Sequence, residues 1–277
     1  MNRLHLLPLL LMVALLQGCA GLFFFPEREH RLDPADHDIV YEDVWFTTED
    51  DVRLHGWWLP AAGEADGTVL FLHGNAQNVS THIAAVHWLP DQGLNVFLPD
   101  YRGFGKSEGR PDFAGVHRDA EAALQTVLER DDVDPDRLIV FGQSLGASVA
   151  ITLVGERGHA AAVRGLVADS PFSSYRGIAR EKFAGFWLTW PFQAPLSRTI
   201  SDRFDPIDRV HRIAPIPLLL LAGDEDRIVP PHHAQRLFEA AGDPVELRRA
   251  SPAGHTQALT IRGEREYLVD WMRQQLR

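Results

Sequence analysis

Residues 137–146 read Arg-Leu-Ile-Val-Phe-Gly-Gln-Ser-Leu-Gly, and this stretch decides the fold. An apolar run typical of a buried strand leads into Gly142-Gln143-Ser144-Leu145-Gly146, and an alanine-rich helical segment follows directly. The order strand, tight turn and helix is the context in which Gly-x-Ser-x-Gly forms a nucleophile elbow. Side chains at the two glycine positions would collide with the neighbouring strand and helix. The stretch therefore predicts that Ser144 is a nucleophile at the start of a helix, where the dipole favours a developing negative charge.

Later segments supply the partners that a serine nucleophile needs. A serine hydroxyl requires a histidine to take its proton and a carboxylate to hold that histidine in the right tautomer. Asp226 follows an apolar run typical of a buried strand, and His255 follows the last alternating run. The order serine, acid, histidine therefore predicts a triad of Ser144, Asp226 and His255. Asp224, and more remotely Glu225, remain alternatives for the acid because they lie in the same loop.

A second loop carries the predicted oxyanion hole. One donor is the backbone N–H of Leu145, directly after the nucleophile. The other is expected after an earlier strand, where Gly74 lets the backbone turn close to the substrate. We predict the amide of Asn75 as this donor, with Ala76 as the alternative. His73 precedes the glycine, and we interpret it as a residue that orders the loop and not as a catalytic base.

The apolar segments predict the architecture. Several predicted strands are apolar throughout, as in a parallel sheet covered on both faces, and the first two form an antiparallel entry pair. We therefore predict an α/β fold with a mostly parallel, doubly wound sheet of about eight strands. Strands are predicted at 39–47, 52–59, 68–72, 94–99, 137–141, 164–168, 216–222 and 244–249, with helices near 78–90, 112–130, 145–156, 232–241 and 257–275.

The segment from about 172 to 213 departs from this alternation and holds a dense aromatic patch at 183–192. We interpret it as a small helical cap over Ser144. Its aromatic side chains either pack the cap onto the core or line the site. If they line the site, the acyl part of the substrate is apolar, and replacing Trp187 or Trp190 with alanine weakens the hydrolysis of long-chain esters more than that of acetate.

Four motifs together resemble a known family. The motifs are His73-Gly74-Asn75-Ala76-x-Asn78, Asp100-Tyr101-Arg102-Gly103-Phe104-Gly105-x-Ser107-x-Gly109, the elbow at 142–146, and Ser170-Pro171-Phe172 with Arg203-Phe204-Asp205. With these motifs the chain is similar to the abhydrolase-domain serine hydrolases, and in particular to their Bem46-like branch, which includes acyl-thioester and lysolipid hydrolases. The resemblance spans about residues 40–275 and implies the α/β-hydrolase fold and the hydrolysis of esters or thioesters through an acyl-enzyme.

Three further interpretations concern residues in or near these motifs. Asp50-Asp51 stands where the family usually has Asp-Gly, in a turn away from the chemistry. Asp100 and Arg102 lie in a strand-end loop and are expected to form a structural ion pair. Ser170, like Ser148, stands outside a Gly-x-Ser-x-Gly turn and is not expected to be a nucleophile.

The N-terminus carries a targeting pattern. A short positive start, an apolar run at 4–16 and the ending Leu16-Gln17-Gly18-Cys19 resemble the signal of bacterial lipoproteins, and the run is too short to span a membrane. We predict a signal peptide over 1–18, lipid modification of Cys19, a lipidated tether over 19–38 and a hydrolase domain over 39–277. The alternative is an uncleaved anchor or a free thiol. By resemblance to Gram-negative lipoproteins, the lack of an acidic residue after Cys19 implies the outer membrane, facing the periplasm.

Net charge, cysteine content and ligand spacing narrow the kinds of partner and cofactor that the chain is expected to bind. The net charge of −11 without a basic cluster argues against nucleic acid and against a polybasic membrane contact, so the membrane is reached through the lipid on Cys19. Cys19 is the only cysteine, so no internal disulfide is expected. No metal-ligand spacing is present, and no metal or cofactor is expected. The run Phe23-Phe24-Phe25-Pro26 after the anchor is either a short tether or an aromatic collar at the bilayer surface.

These expectations converge on a serine hydrolase of carboxylic esters or thioesters that acts on acyl or lipid-like substrates at the cell envelope. Two alternatives stay open. The same triad cleaves peptides, so a periplasmic serine peptidase is one. A hydrolase-like envelope protein that binds without catalysis is the other. The sequence leaves the acyl donor and the oligomeric state open.

Overall fold

The computed structural model describes residues 23–156, 162–185 and 189–277. The predicted signal peptide, Cys19 and Trp187 lie outside the described residues. No helix in these ranges combines the length and the apolar character that crossing a bilayer requires.

Strands and helices alternate along most of the chain. The strands are β1 (Phe25–Pro26), β2 (Glu42–Thr47), β3 (Arg53–Leu59), β4 (Gly67–Leu72), β5 (Ala76–Gln77), β6 (Leu94–Pro99), β7 (Leu138–Gln143), β8 (Gly165–Asp169), β9 (Leu218–Gly223) and β10 (Val245–Ala250). The helices are α1 (Val79–His82), α2 (Phe113–Leu128), α3 (Leu145–Gly155), α4 (Tyr175–Ala184), α5 (Gln193–Ser197), α6 (His232–Ala240) and α7 (Arg262–Gln275).

The helix predicted near 78–90 is wrong beyond its first turn. α1 ends at His82, and 3₁₀ turns follow at Ile83–Ala85 and Pro90–Gln92. The segment contains several β-branched residues, which lose side-chain freedom in a helix.

One mixed sheet organises the molecule. Its strand order is β10-β9-β8-β7-β4-β6-β3-β2. Neighbouring strands from β10 to β6 are parallel, whereas β3 is antiparallel to both β6 and β2. Every residue of β4, β6, β7, β8 and β9 is buried, as expected for strands covered on both faces. The predicted fold class, a mostly parallel eight-strand α/β sheet, is confirmed.

Helices cover both faces of this sheet. Val116 of α2 and Val149 of α3 lie in one core together with Leu70 of β4. Leu268 of α7 lies in a second core together with Phe71, the next residue of β4. Successive side chains of a strand point to opposite faces, which is why Leu70 and Phe71 belong to different cores. The carboxyl ends of the parallel strands are left to the loops that form the candidate site.

Arg102 forms a buried ion-pair network, but not with the residue expected from the sequence. Its guanidinium donates to both oxygens of Asp50 at 2.9 Å and to Asp119 at 2.9 Å, and its side chain is 5% exposed. The hydrogen bonds from Arg102 hold the pKa of Asp50 well below its ordinary value, whereas burial raises the pKa of Asp119 to about 6. The expected Asp100–Arg102 pair was wrong because the Asp50 turn, distant in sequence, packs against this loop. The two hairpin aspartates thus have a structural use: Asp51 takes the positive φ of the turn, at +60°, and Asp50 binds the arginine.

Candidate active site

Ser144 lies between β7 and α3 with a backbone φ of +55°, a region that residues other than glycine rarely adopt. A Cβ on Gly142 would lie 2.3 Å from the carbonyl oxygen of Gly146, and a Cβ on Gly146 would lie 2.0 Å from that of Leu72. Any side chain at either glycine would therefore push the helix off the strands. Leu145 is the first residue of α3, so its N–H has no partner within the helix.

The structure brings the three predicted triad residues together. Ser144 Oγ lies 2.8 Å from His255 Nε2, and His255 Nδ1 lies 2.7 Å from Asp226 Oδ2. Asp226 Oδ1 accepts the backbone N–H groups of Ile228 and Val229, each at 2.8 Å. The carboxylate requires the imidazole proton on Nδ1, so the lone pair of Nε2 faces the serine hydroxyl. This is the arrangement in which a serine can pass its proton to a histidine.

Asp224, the alternative acid, points elsewhere. Its Oδ1 accepts from Arg249 Nε at 2.9 Å, and its side chain is 37% exposed. The side chain of Asp226 is 1% exposed. Glu225 is also exposed. Among the three acids of this loop, Asp226 is the one that contacts His255.

A buried polar cluster supports the histidine loop. Ser170 Oγ accepts the backbone N–H of Thr256, the residue after His255, at 3.1 Å and donates to Asp169 Oδ1 at 3.1 Å. Gln143 Nε2 donates to the other oxygen of Asp169 at 2.9 Å. Burial raises the pKa of Asp169 to about 6. Sequence reasoning missed these positioning contacts because no local motif links segments so far apart in the chain.

An apolar cavity of about 400 Å³ opens over Ser144, within the range of small-molecule sites. Helix α4, which lies in the segment predicted to be the cap, contributes Ile178, Lys182 and Phe183 to its lining. Trp190 is 60% exposed and is not among the described residues that line the cavity. The lining includes Phe23, Phe25, Phe172, Ile178, Lys182, Phe183 and Val229.

The wall next to Ser144 is formed in part by residues 23–31, which we call the N-terminal strap. Its Phe25 N–H donates to the carbonyl of Asn75 at 3.2 Å, and the Asn75 side-chain amide donates to the carbonyl of Phe23. Phe24 is 2% exposed, whereas Phe25 is 59% exposed. The strap therefore packs against the domain and lines its cavity, which neither the tether nor the collar interpretation anticipated.

The loop predicted to supply the second oxyanion donor lies beside the serine. Asn75 and Leu145 both line the cavity with Ser144. A Cβ on Gly74 would lie 3.7 Å from the Cβ of Ser144, so this loop runs directly past the nucleophile. His73 is buried, and its Nδ1 donates to the carbonyl of Gly74 at 2.7 Å. This contact fits the expectation that His73 orders the loop.

Comparison with known proteins identifies the family. The family model described as "Serine aminopeptidase, S33" matches residues 63–202. The uncharacterized protein YfhR of Escherichia coli is 37% identical over 260 residues, which cover 91% of this chain and 86% of YfhR. The Arabidopsis thaliana α/β hydrolase domain-containing protein WAV2 is 32% identical over 77% of this chain and 71% of WAV2. The chain belongs to the α/β-hydrolase family.

A solved structure agrees with this assignment. The Pyrococcus furiosus esterase Pf2001 superposes on this α/β hydrolase with a TM-score of 0.71 and 28% sequence identity, covering 92% of this chain and 97% of the esterase. The Schizosaccharomyces pombe protein bem46 is 29% identical over 79% of this chain and 72% of bem46. The general class of the protein is therefore that of a hydrolase with an esterase as a structural neighbour.

Proposed function

We propose that this α/β hydrolase is a serine esterase or thioesterase that cleaves apolar acyl substrates through a triad of Ser144, His255 and Asp226. The observation that carries the proposal is the hydrogen-bonded chain of these three side chains at the floor of an apolar cavity. Pf2001, a relative in structure at 28% identity, is an esterase, which supports the same reaction class.

The geometry supports a two-step reaction. Ser144 Oγ attacks the acyl carbon while His255 Nε2 takes its proton, and Asp226 stabilises the imidazolium. The backbone amides of Leu145 and Asn75 bind the oxyanion. His255 then returns the proton to the leaving alcohol or thiol, which leaves the acyl-enzyme. A water molecule that gives its proton to His255 attacks the acyl carbon and releases the acid and the free serine.

The cavity lining favours an acyl chain over a peptide. An aminopeptidase has to hold a free α-ammonium group, for which a carboxylate is the natural partner. Among the described residues that line the cavity, the charged side chain is Lys182, and none is a carboxylate. The family description names an aminopeptidase, so hydrolysis of aminoacyl p-nitroanilides is the direct test of this second candidate.

We propose that the site lies at a membrane surface. Cys19, the predicted lipidation site, stands four residues before Phe23 in the cavity wall. Four residues span at most about 14 Å, so a lipid on Cys19 would hold the cavity mouth close to the acyl chains of the same leaflet. Diacylated and triacylated anchors bind membranes far more firmly than one chain does. The proposed location is the outer membrane, facing the periplasm, and the proposed substrate is an acyl ester of that leaflet.

Fluorophosphonate labelling of the full chain in detergent tests the nucleophile, with Ser144→Ala as the control. We expect labelling of the parent alone and hydrolysis of p-nitrophenyl esters that improves from acetate to octanoate. Labelling of Ser144→Ala would refute the assignment of the nucleophile. A folded parent that neither labels nor hydrolyses any ester would favour the non-catalytic binding protein.

Cys19→Ser tests the membrane proposal separately. We expect this variant to lose palmitate labelling and to leave the membrane fraction, while its hydrolysis of soluble p-nitrophenyl acetate stays at the parent level. A variant that still labels with palmitate and still fractionates with membranes would rule out the anchor and leave the esterase proposal intact.

A further inference from the structure

Three polar atoms converge where the N-terminal strap meets the sheet. They belong to His30, His55 and Asp100, and one ring nitrogen or carboxylate oxygen of each residue lies within 4.8 Å of those of the other two. The side chains of His55 and Asp100 are fully buried, and that of His30 is 15% exposed. Within the described part of the chain, His30 Nε2, His55 Nδ1 and Asp100 Oδ2 have no hydrogen-bond partner. Burying polar atoms without partners is costly, so their convergence points to a shared ligand.

The protonation of His55 favours a cation. His55 Nε2 lies 2.5 Å from Asp43 Oδ1, and a carboxylate accepts, so this nitrogen carries the proton. The lone pair of His55 is therefore on Nδ1, the buried nitrogen that has no hydrogen-bond partner. A histidine that donates its second N–H to a carboxylate is the usual outer-shell arrangement of a metal ligand. Asp100 is fixed similarly, because its Oδ1 accepts the N–H of Val79 at 2.9 Å and leaves Oδ2 to point at the histidines.

The separations fit a tetrahedral ion. His30 Nε2 and Asp100 Oδ2 are 3.6 Å apart, too far for a good hydrogen bond. Two ligands of tetrahedral Zn²⁺ with bonds of 2.0–2.2 Å lie roughly 3.4 Å from each other. Gly105 borders the same space: a Cβ there would lie 2.0 Å from Asp100 Oδ2 and 2.8 Å from His30 Nε2. The glycine keeps the gap between the two atoms free of side-chain atoms.

We infer that His30, His55 and Asp100 form a Zn²⁺ site. Two imidazoles and one carboxylate are a donor set that suits Zn²⁺. His30 belongs to the strap, His55 to β3, and Asp100 directly follows β6. A bound ion would therefore fasten the strap, and with it the cavity wall at Phe23, to the sheet. The role is structural, and the sequence gives no motif for it because the ligands are 25 and 45 residues apart.

A second histidine group offers a matched control. Glu181, His232 and His233 also lie within ligand distance of one another. His233 Nδ1 accepts the backbone N–H of Ser173 at 3.1 Å, so its proton is on Nε2, which faces Glu181 at 3.3 Å. This nitrogen presents a proton and not a lone pair. We expect no Zn²⁺ ligation by His233 here.

The test measures bound zinc and thermal stability in the full chain, purified in detergent, stripped with EDTA and then given Zn²⁺. We expect one Zn²⁺ per chain, and a Tm rise of about 5–10 °C at Zn²⁺ a hundredfold above Kd. His30→Gln keeps a polar side chain at this partly exposed position and removes no hydrogen bond to Asp100, so its Tm in EDTA should stay close to that of the parent, while the bound zinc and the Tm rise are lost. His232→Gln should retain both.

Either of two results would overturn the site: no bound zinc in the parent, or equal zinc binding by the parent and His30→Gln. Loss of binding in His232→Gln with retention in His30→Gln would move the ion to the control group and also reject the inference. The readouts do not use hydrolysis and can be repeated in Ser144→Ala, so the outcome is independent of the proposed function.

Discussion

Replacing Asp226 by asparagine changes one oxygen of a side chain whose orientation the backbone fixes. Oδ1 accepts the N–H groups of Ile228 and Val229, each at 2.8 Å, so the amide oxygen of the asparagine should keep this position. The NH₂ group then replaces Oδ2 and faces His255 Nδ1. That nitrogen has to accept, so the imidazole proton moves to Nε2, which can no longer accept from Ser144.

The size of the effect follows from these contacts. To restore the productive tautomer the amide has to flip, which sets its NH₂ group against two backbone N–H donors. Leaving a buried donor unsatisfied costs about 1–3 kcal/mol, so the flip costs about 2–6 kcal/mol. Because 1.36 kcal/mol corresponds to a tenfold change in rate, we expect kcat of Asp226→Asn to fall by roughly 10²–10⁴-fold.

The assay is kcat for p-nitrophenyl butyrate, with Asp224→Asn as the matched control from the same loop. Asp224 makes an exposed pair with Arg249, which is worth at most about 1 kcal/mol to stability, so its variant should stay within about twofold of the parent. Circular dichroism checks that both variants are folded. If Asp226→Asn keeps more than a tenth of the parent kcat, or if Asp224→Asn loses as much, the tautomer argument is wrong.

Three further predictions follow from burial and charge. Arg102→Met should lower the free energy of unfolding in urea by about 3–5 kcal/mol, because it leaves the buried carboxylate of Asp119 without its ion-pair partner. Arg118→Met, at a more exposed arginine, should lower it by less than about 1 kcal/mol. Equal losses in the two variants would contradict the buried network. Phe23→Ala should lower kcat/KM for octanoate esters about tenfold and leave kcat/KM for acetate esters unchanged. Replacing the exposed Trp190 by alanine should leave both values unchanged. An equal loss for octanoate and acetate in Phe23→Ala would show that Phe23 does not bind the acyl chain. The raised pKa of Asp169, about 6, means that the folded state binds this proton more tightly than the unfolded state, so its stabilising contribution is present below pH 4 and lost as the pH rises through 6. The Asp169→Asn variant should not show this loss, so its free energy of unfolding should rise by about 3 kcal/mol relative to that of the parent between pH 4 and pH 7. If the two curves of stability against pH stay parallel, the buried carboxyl of Asp169 does not have this effect.

The features that could be predicted from the sequence share one physical origin. Parallel strands end at the same edge of a sheet, so residues that directly follow several strands are brought together by the fold itself. Ser144, Asp226 and His255 each have this position, and the structure places them in hydrogen-bond contact. The apolar strands were equally predictable, because burial on both faces leaves a continuous apolar run.

The features that could not be predicted depend on contacts between segments that are distant in the sequence. No motif or periodicity in the sequence reveals which of these segments meet. Asp50 binds Arg102 across 52 positions, and a charged pair in a loop carries no periodicity that would reveal its partner. Ser170 was expected only not to be a nucleophile, because it stands outside an elbow, and the sequence did not reveal that its hydroxyl accepts the backbone N–H of Thr256, the residue after His255. The aromatic run at 23–25 gave no sign that one ring would be buried and another exposed at a cavity.

The N-terminal strap is hydrogen-bonded to the rest of the domain and is not a free tether. A tether can be removed without loss, but these residues hydrogen-bond the protein at several points: the Gly105 N–H donates to Glu27 at 2.8 Å, the Arg31 N–H to Ser80 Oγ at 2.9 Å, and the Asn78 side chain to Glu29 at 2.8 Å. The same segment supplies Phe23 to the cavity and His30 to the inferred zinc site. If Cys19 carries a lipid, the residues that attach the enzyme to the membrane are continuous with those that shape its acyl site. Anchoring and substrate selection would then be coupled through one short stretch of backbone, because the described contacts with the domain begin at Phe23, upstream of the predicted domain start at 39.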